Sequence, residues 1–215
     1  MKKFVNNWQI ISIFLAVLTG ILAIVGPWDF TQRIILALIV CLFLHFYEEF
    51  GFPGGFPYMG VKVLLGRDEQ DPKKWDANNL NSIFGNWGFL ILVYLLPLFL
   101  PGIRFLTLAA VIFAFLELFM HLILFNVKLR TFYNPGFVTA VFGMTPIAIY
   151  YFVHTSGQNL YHWYDYVLSF IWCIGVFFFC FRSPLYWKLG KKEGYPFTPQ
   201  SAFGLELKNI KSASR

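Results

Sequence analysis

The chain has 215 residues and a formal net charge of +6, with 58% hydrophobic and 21% aromatic residues but only 13% charged ones. An average soluble domain carries roughly 45–50% apolar and about 25% charged residues, so this balance excludes disorder and points away from a water-soluble globule. Seven of the 17 Lys and Arg lie from Arg182 onward and most others fall in short gaps between apolar runs, which is the placement of a membrane-topology signal and not of a nucleic-acid binding stripe.

A membrane-spanning helix needs roughly 20 mostly apolar residues, and six stretches approach that length. The first, Trp8 to Val25, follows Lys2 and Lys3; its apolar part exceeds the usual 7–15 residues of a signal peptide, so it reads as a retained helix. The second runs from Gln32 to Phe50 and ends at Gly51-Phe52-Pro53-Gly54-Gly55. A loop from about Gly51 to Asn79 follows, either an interfacial cap over the bundle or a solvated connector. The remaining stretches are Leu80 to Leu100, Arg104 to Phe125, Phe137 to Val153 and Tyr164 to Phe181, separated by Pro101-Gly102, by Asn134-Pro135-Gly136 and by a polar segment. The tail from Lys188 to Arg215 reads as a basic cytoplasmic extension attracted to anionic lipid.

Six spans put Lys and Arg fifteen to two on opposite sides, so both termini are expected in the cytoplasm. The expected fold is an all-α polytopic membrane bundle, comprising a helical region over 1–187 and a tail over 188–215. The expected setting is a bacterial inner membrane. The sequence leaves a homo-oligomer open. Cys41, Cys173 and Cys180 lie inside apolar runs without metal-ligand or disulfide spacing and read as core or lipid-facing residues.

Ionisable residues inside spans are costly and mark function. His45-Phe46-Tyr47-Glu48-Glu49 closes the second span, where helical periodicity sets His45 beside both carboxylates. Glu117-Leu118-Phe119-Met120-His121 lies in the fourth, an i, i+4 pair on one face. Spans two and four run in the same direction, so both groups fall in the cytoplasmic leaflet. Asn86 in span three and Asn134 before span five come from the same side. The bland reading of Glu48 and Glu49 is a water boundary, but Glu117 and His121 have apolar residues for more than a turn on either side.

These residues, with Asn134-Pro135-Gly136, resemble the HXXEE-motif family of multi-pass membrane proteins of uncharacterised function. The resemblance covers roughly spans two to five. It implies a shared all-helical membrane fold and a polar site at these positions, but no reaction.

Two imidazoles and three carboxylates match the ligands of a divalent metal centre, zinc first, with iron or manganese as alternatives. The favoured reading is a metal-dependent hydrolase acting on a lipid or lipid-linked substrate. His45, His121 and either Glu48 or Glu117 are its ligands, and Glu49 is its general base. Asn86 and Asn134 orient ligands or donate to a developing oxyanion. A second reading is a metal-independent lipid isomerase using Glu/His proton transfer. A third is transport or lipid binding without turnover, for which the nearly apolar outer halves of spans two to five supply no through-path; His154, His162 and Asp165 read as residues of the opposite interface.

Trp8, Trp28, Trp75, Trp87 and Trp163 are expected at the membrane interface. Gly85 and Gly88 are expected at close helix contacts, and Pro146 as a bend in span five.

Overall fold

The computed structural model describes residues 1–207 and 210. Lys208, Lys211 and Arg215 of the basic tail lie outside the described residues. Among the described residues the structure is helical throughout, with no strand. Five helices are long and apolar enough to cross a membrane, and the protein is an integral membrane protein of the polytopic helical class.

Helices α1 (Trp8–Val25) and α2 (Phe30–Phe50) form an antiparallel hairpin. Asp29 starts α2 by accepting from the Gln32 amide at 2.8 Å, while the Gln32 side chain accepts from the Asp29 amide. Such reciprocal caps satisfy donors that a helix start leaves orphaned. Arg33 staples the hairpin by donating to the carbonyls of Ala23, Gly26 and Trp28, two of them at or beyond the end of α1.

A short helix, α3 (Phe56–Leu64), follows, then α4 (Asn79–Phe99) and α5 (Arg104–Leu129). Each of the latter two widens into a π-helical segment, Leu90–Leu95 in α4 and Phe119–Phe125 in α5. A wider turn redirects the side chains beyond it, and π segments recur at functional sites.

The stretch expected as the fifth span forms helix α6 over 137–155, in which two α-helical residues precede a π segment, Thr139–Met144, and an α-helical one, Thr145–Thr155. Pro146 lies inside it and has no N–H for the helix ladder. The chain before α6 dips into the bundle, where Asn134 is buried. Irregular backbone at this depth is tolerated only inside protein.

Helix α7 (Trp163–Arg182) returns to the first side, followed by α8 (Pro184–Gly190) and α9 (Pro199–Phe203). The two ends of the chain meet there. Asn6 donates to the Gly194 carbonyl and the Trp8 indole donates to Asn79 Oδ1. Trp8 is fully buried against Phe46 and Phe50, not at an interface, because its N–H finds a partner inside the bundle.

The 51–79 loop and the tail build one cap. Tyr58 and Val61 of α3 pack with Trp75, Ala202 and Phe203 in a separate apolar cluster, so Trp75 is also a core residue. Asn78 holds the cap to α4. Its Oδ1 accepts from the Leu80 and Asn81 amides, and its Nδ2 donates to the carbonyls of Leu189, Gly190 and Lys192. Asn79 adds bonds to Tyr195 and Pro196. The described part of the tail is thus packed chain and not a free extension.

Candidate functional site

Beneath this cap, α2 and α5 present one face each to the other. His45 and Glu49 are a turn apart on α2; Glu117 and His121 are a turn apart on α5, with His121 in the π segment. His45 Nε2 lies 3.4 Å from Glu49 Oε1 and 3.8 Å from Glu117 Oε2. His121 Nε2 lies 3.6 Å from Glu49 Oε1 and 3.3 Å from Glu117 Oε2. The two rings stand nearly perpendicular with centroids 4.9 Å apart. All four residues are buried except Glu117, whose side chain is 17% exposed.

The far side of each imidazole is held. His121 Nδ1 is 2.6 Å from Asn134 Oδ1, and the Asn134 amide nitrogen donates to the His121 carbonyl at 2.7 Å and to Asn126 Oδ1 at 2.8 Å. Those two acceptors identify which Asn134 atom is nitrogen, so Oδ1 accepts and His121 Nδ1 carries the proton. His45 Nδ1 is 2.9 Å from Thr139 Oγ1, whose own proton goes to Glu48 Oε2 at 2.6 Å. His45 Nδ1 is therefore also a donor. In neutral imidazoles, both Nε2 lone pairs then face the carboxylates of Glu49 and Glu117.

The adjacent carboxylates Glu48 and Glu49 take different directions. Glu48 turns to the start of α6, accepting from the amides of Val138 and Thr139 at 3.0 and 2.9 Å and from the Tyr133 hydroxyl at 3.2 Å. It serves as a cap from another helix, where a negative charge is favoured by the orphaned amides and the helix dipole. Glu48 thus touches His45 only through Thr139. Consecutive helix residues project about 100° apart, which is why one motif serves two sites.

Gly136 closes the floor. With φ at +99°, it occupies a backbone region that suits glycine, and a Cβ there would lie 2.3 Å from His121 Cε1 and 2.7 Å from His45 Cε1. The backbone of Asn134-Pro135-Gly136 thus rests against both imidazoles.

His45, Glu117 and His121 form a group whose donor atoms all lie within 4.8 Å of one another, and that could hold a metal ion. Ligands of a tetrahedral ion at ~2.0–2.2 Å sit roughly 3.3–3.6 Å apart. Three of the four imidazole–carboxylate separations fall in that range and the fourth, His45 to Glu117, is 3.8 Å; imidazole with carboxylate suits zinc, iron or manganese.

The same four residues line a cavity of about 410 Å³, walled mainly by Phe and Leu. Asn86 also lines it, with its amide nitrogen bonded to the Ser82 carbonyl at 2.9 Å. Thus His45, Glu49, Glu117, His121 and Asn134 are brought into contact, Asn86 shares the cavity, and Glu48 stands behind. Sequence reasoning missed Thr139, Gly136 as the packing surface, and the Asn78 anchor. Thr139 has a trace in the sequence, as the first hydroxyl after a Pro-Gly helix start, but nothing local ties it to His45.

The model of a family described as a protein of unknown function with HXXEE motif matches residues 34–151. That is more than half of the chain, and the chain belongs to this family. The match includes every residue of the His/Glu cluster and its Asn134 and Thr139 supports. No curated protein and no solved structure matches the chain.

Proposed function

We propose that this member of the HXXEE-motif family is a metal-dependent membrane hydrolase acting on a lipid or lipid-linked substrate, with its site on the cytoplasmic side. One observation carries the reading. Two imidazole nitrogens, each with its proton directed away, face two carboxylates at 3.3–3.8 Å inside the bundle. Four acceptors so placed repel unless a cation or protons lie among them.

His45, His121 and Glu117 would hold the ion, zinc by preference. When bound, such an ion supplies Lewis acidity and a water nucleophile at neutral pH. Glu49, touching both imidazoles, takes the proton from the attacking water and returns it to the leaving group. Asn134 and Thr139 keep each imidazole in the tautomer that leaves Nε2 free. Asn86 donates toward the substrate once its bond to Ser82 is exchanged. The apolar wall accepts an acyl or isoprenoid chain, and the fifteen-to-two division of basic residues supports the cytoplasmic side.

Metal analysis of the purified protein tests this. About one divalent ion per chain is expected, none in the His45→Ala, His121→Ala double variant, and chelator-sensitive release of product from a panel of lipid esters and phosphoesters. A native protein without stoichiometric metal overturns the metal-dependent reading.

A second reading draws on the same contacts. His45–Glu49 and His121–Glu117 can each share a proton, which suits isomerisation of a lipid double bond. Chelator-insensitive activity that disappears in Glu117→Gln selects it.

A further inference from the structure

Helix α7 does not follow α5 along its whole length. In the outer half they lie in contact, with Ser169 Oγ sharing its proton between the Asp165 carbonyl of its own helix at 2.6 Å and the Phe105 carbonyl at 2.8 Å, and Cys173 Sγ 3.6 Å from the Ala109 carbonyl. In the inner half α7 crosses to α4. A Cβ at Gly85 would come within 2.5 Å of the Phe181 ring, and one at Gly88 within 3.1 Å of Cys180 Sγ. The π segment of α5 is left without close packing on α7. The cavity lies in that gap. Phe119, Ile174 and Phe178 line it and are also 51, 56 and 59% exposed on the outside of the bundle. They sit in the spans, where the outside is lipid. The cavity therefore opens sideways into the bilayer.

Among the described residues its wall carries one cation of the Lys/Arg type, Arg182, in the last turn of α7. The guanidinium lies over the rings of Phe177 and Trp187, at 5.4 and 5.9 Å. Its hydrogen bond among the described residues is to the adjacent Phe181 carbonyl at 3.1 Å, and no carboxylate among them lies within ion-pair distance. A cation at a helix C-terminus offsets the dipole, but that role leaves most of the five donors free. Asp76, the acid on the wall outside the cluster, is 4.0 Å from Lys191. The end of an apolar span is also the level of lipid headgroups.

We propose that the cavity takes a bilayer lipid with an anionic headgroup, admitted sideways between α5 and α7, with Arg182 binding the headgroup. The two carboxylates of the cluster repel an anion or, with a divalent ion held among them, balance its charge, so the negative group belongs at the Arg182 end, where a planar fork of N–H donors matches phosphate oxygens. As a substrate assignment this rests on the hydrolase reading; as a binding assignment it does not.

The test therefore reads binding. Detergent-solubilised full-length protein is titrated into chain-labelled fluorescent phosphatidylglycerol and into phosphatidylcholine with the same chains. The anionic lipid is expected to bind at least about tenfold tighter. Arg182→Gln is expected to bring the ratio to within about twofold, Arg182→Lys to restore part of it, and Lys188→Gln, an exposed charge on α8, to leave it unchanged. Ile174→Trp, which narrows the gap, is expected to weaken both lipids without altering the ratio. If Arg182→Gln does not fold, the native ratio and its fall toward one at high salt carry the test. Equal binding of the two lipids by native protein overturns the proposal. So does an Arg182→Gln ratio equal to native, an equal effect of Lys188→Gln, or displacement of the anionic lipid by millimolar inorganic phosphate. A chain with no metal and no turnover can still pass or fail every arm.

Discussion

At the outer end of the bundle α5 and α7 lie close at the fully buried Ala109, whose carbonyl is 3.6 Å from Cys173 Sγ, whereas toward the chain termini the same two helices part around a cavity. The outer contact is made by small residues and side-chain bonds to backbone carbonyls, the means by which helices associate where lipid is as apolar as the core. The inner region has the two polar pairs, the π segment carrying His121 and the dipping chain at Asn134. The contrast shows that one helix, α5, takes part in close packing with α7 at its outer end and in an open polar site shared with α2 at its inner end. A mutation in one half should leave the other half's property standing.

The largest effect is expected at Gly136→Ala. A side chain at this positive φ is strained, and its Cβ overlaps both imidazoles, which together cost about 2–5 kcal/mol. Metal affinity should fall at least about 100-fold, read by competition with a chelating dye, while the helical circular dichroism persists. Asn134→Ala and Thr139→Val come next. Removing the partner of a ligating imidazole typically lowers metal affinity 10–100-fold. Thr139→Ser, which keeps the hydroxyl, should restore most of the loss. An unchanged affinity in both would show that neither tautomer needs holding. The smallest effect is expected in the outer half. Ser169→Ala removes the bond to Phe105 and should lower stability by about 0.6 kcal/mol, measured by unfolding in mixed micelles, with metal content unaltered. Metal loss on Ser169→Ala would break the separation of the two halves.

Much of this arrangement is visible in the residues alone. His45, Glu49, Glu117 and His121 stand out because charge inside an apolar run has no other account, and the parallel direction of spans two and four already places them at one depth. Gly85 and Gly88 likewise read as close contacts, and both face α7. Thr139 and Asn78 were invisible for the opposite reason. Thr139 is a hydroxyl in an apolar helix and Asn78 an amide in a polar stretch, both ordinary in those settings, and they act on groups 94 and at least 111 residues away in sequence. Trp8 and Trp75 read as interfacial because the indole suits that position; the partners that bury them come from α2 and from the tail. The start of α6 is capped by Glu48 of α2, which no local pattern reveals.

By itself, then, the sequence determined that the chain spans a membrane as helices, which side carries the basic residues, and which ionisable groups lie at membrane depth. Those properties depend on composition and period, because a bilayer accepts only backbone that satisfies its own hydrogen bonds and excludes unpaired charge. Tertiary structure alone decided that Glu49 meets the imidazoles while Glu48 caps α6, that Thr139 and Asn134 set the tautomers, and that the cavity opens toward lipid beside Arg182. Each of these depends on the rotation and crossing of one helix against another, and a rotation of one residue, 100°, exchanges one carboxylate for the next.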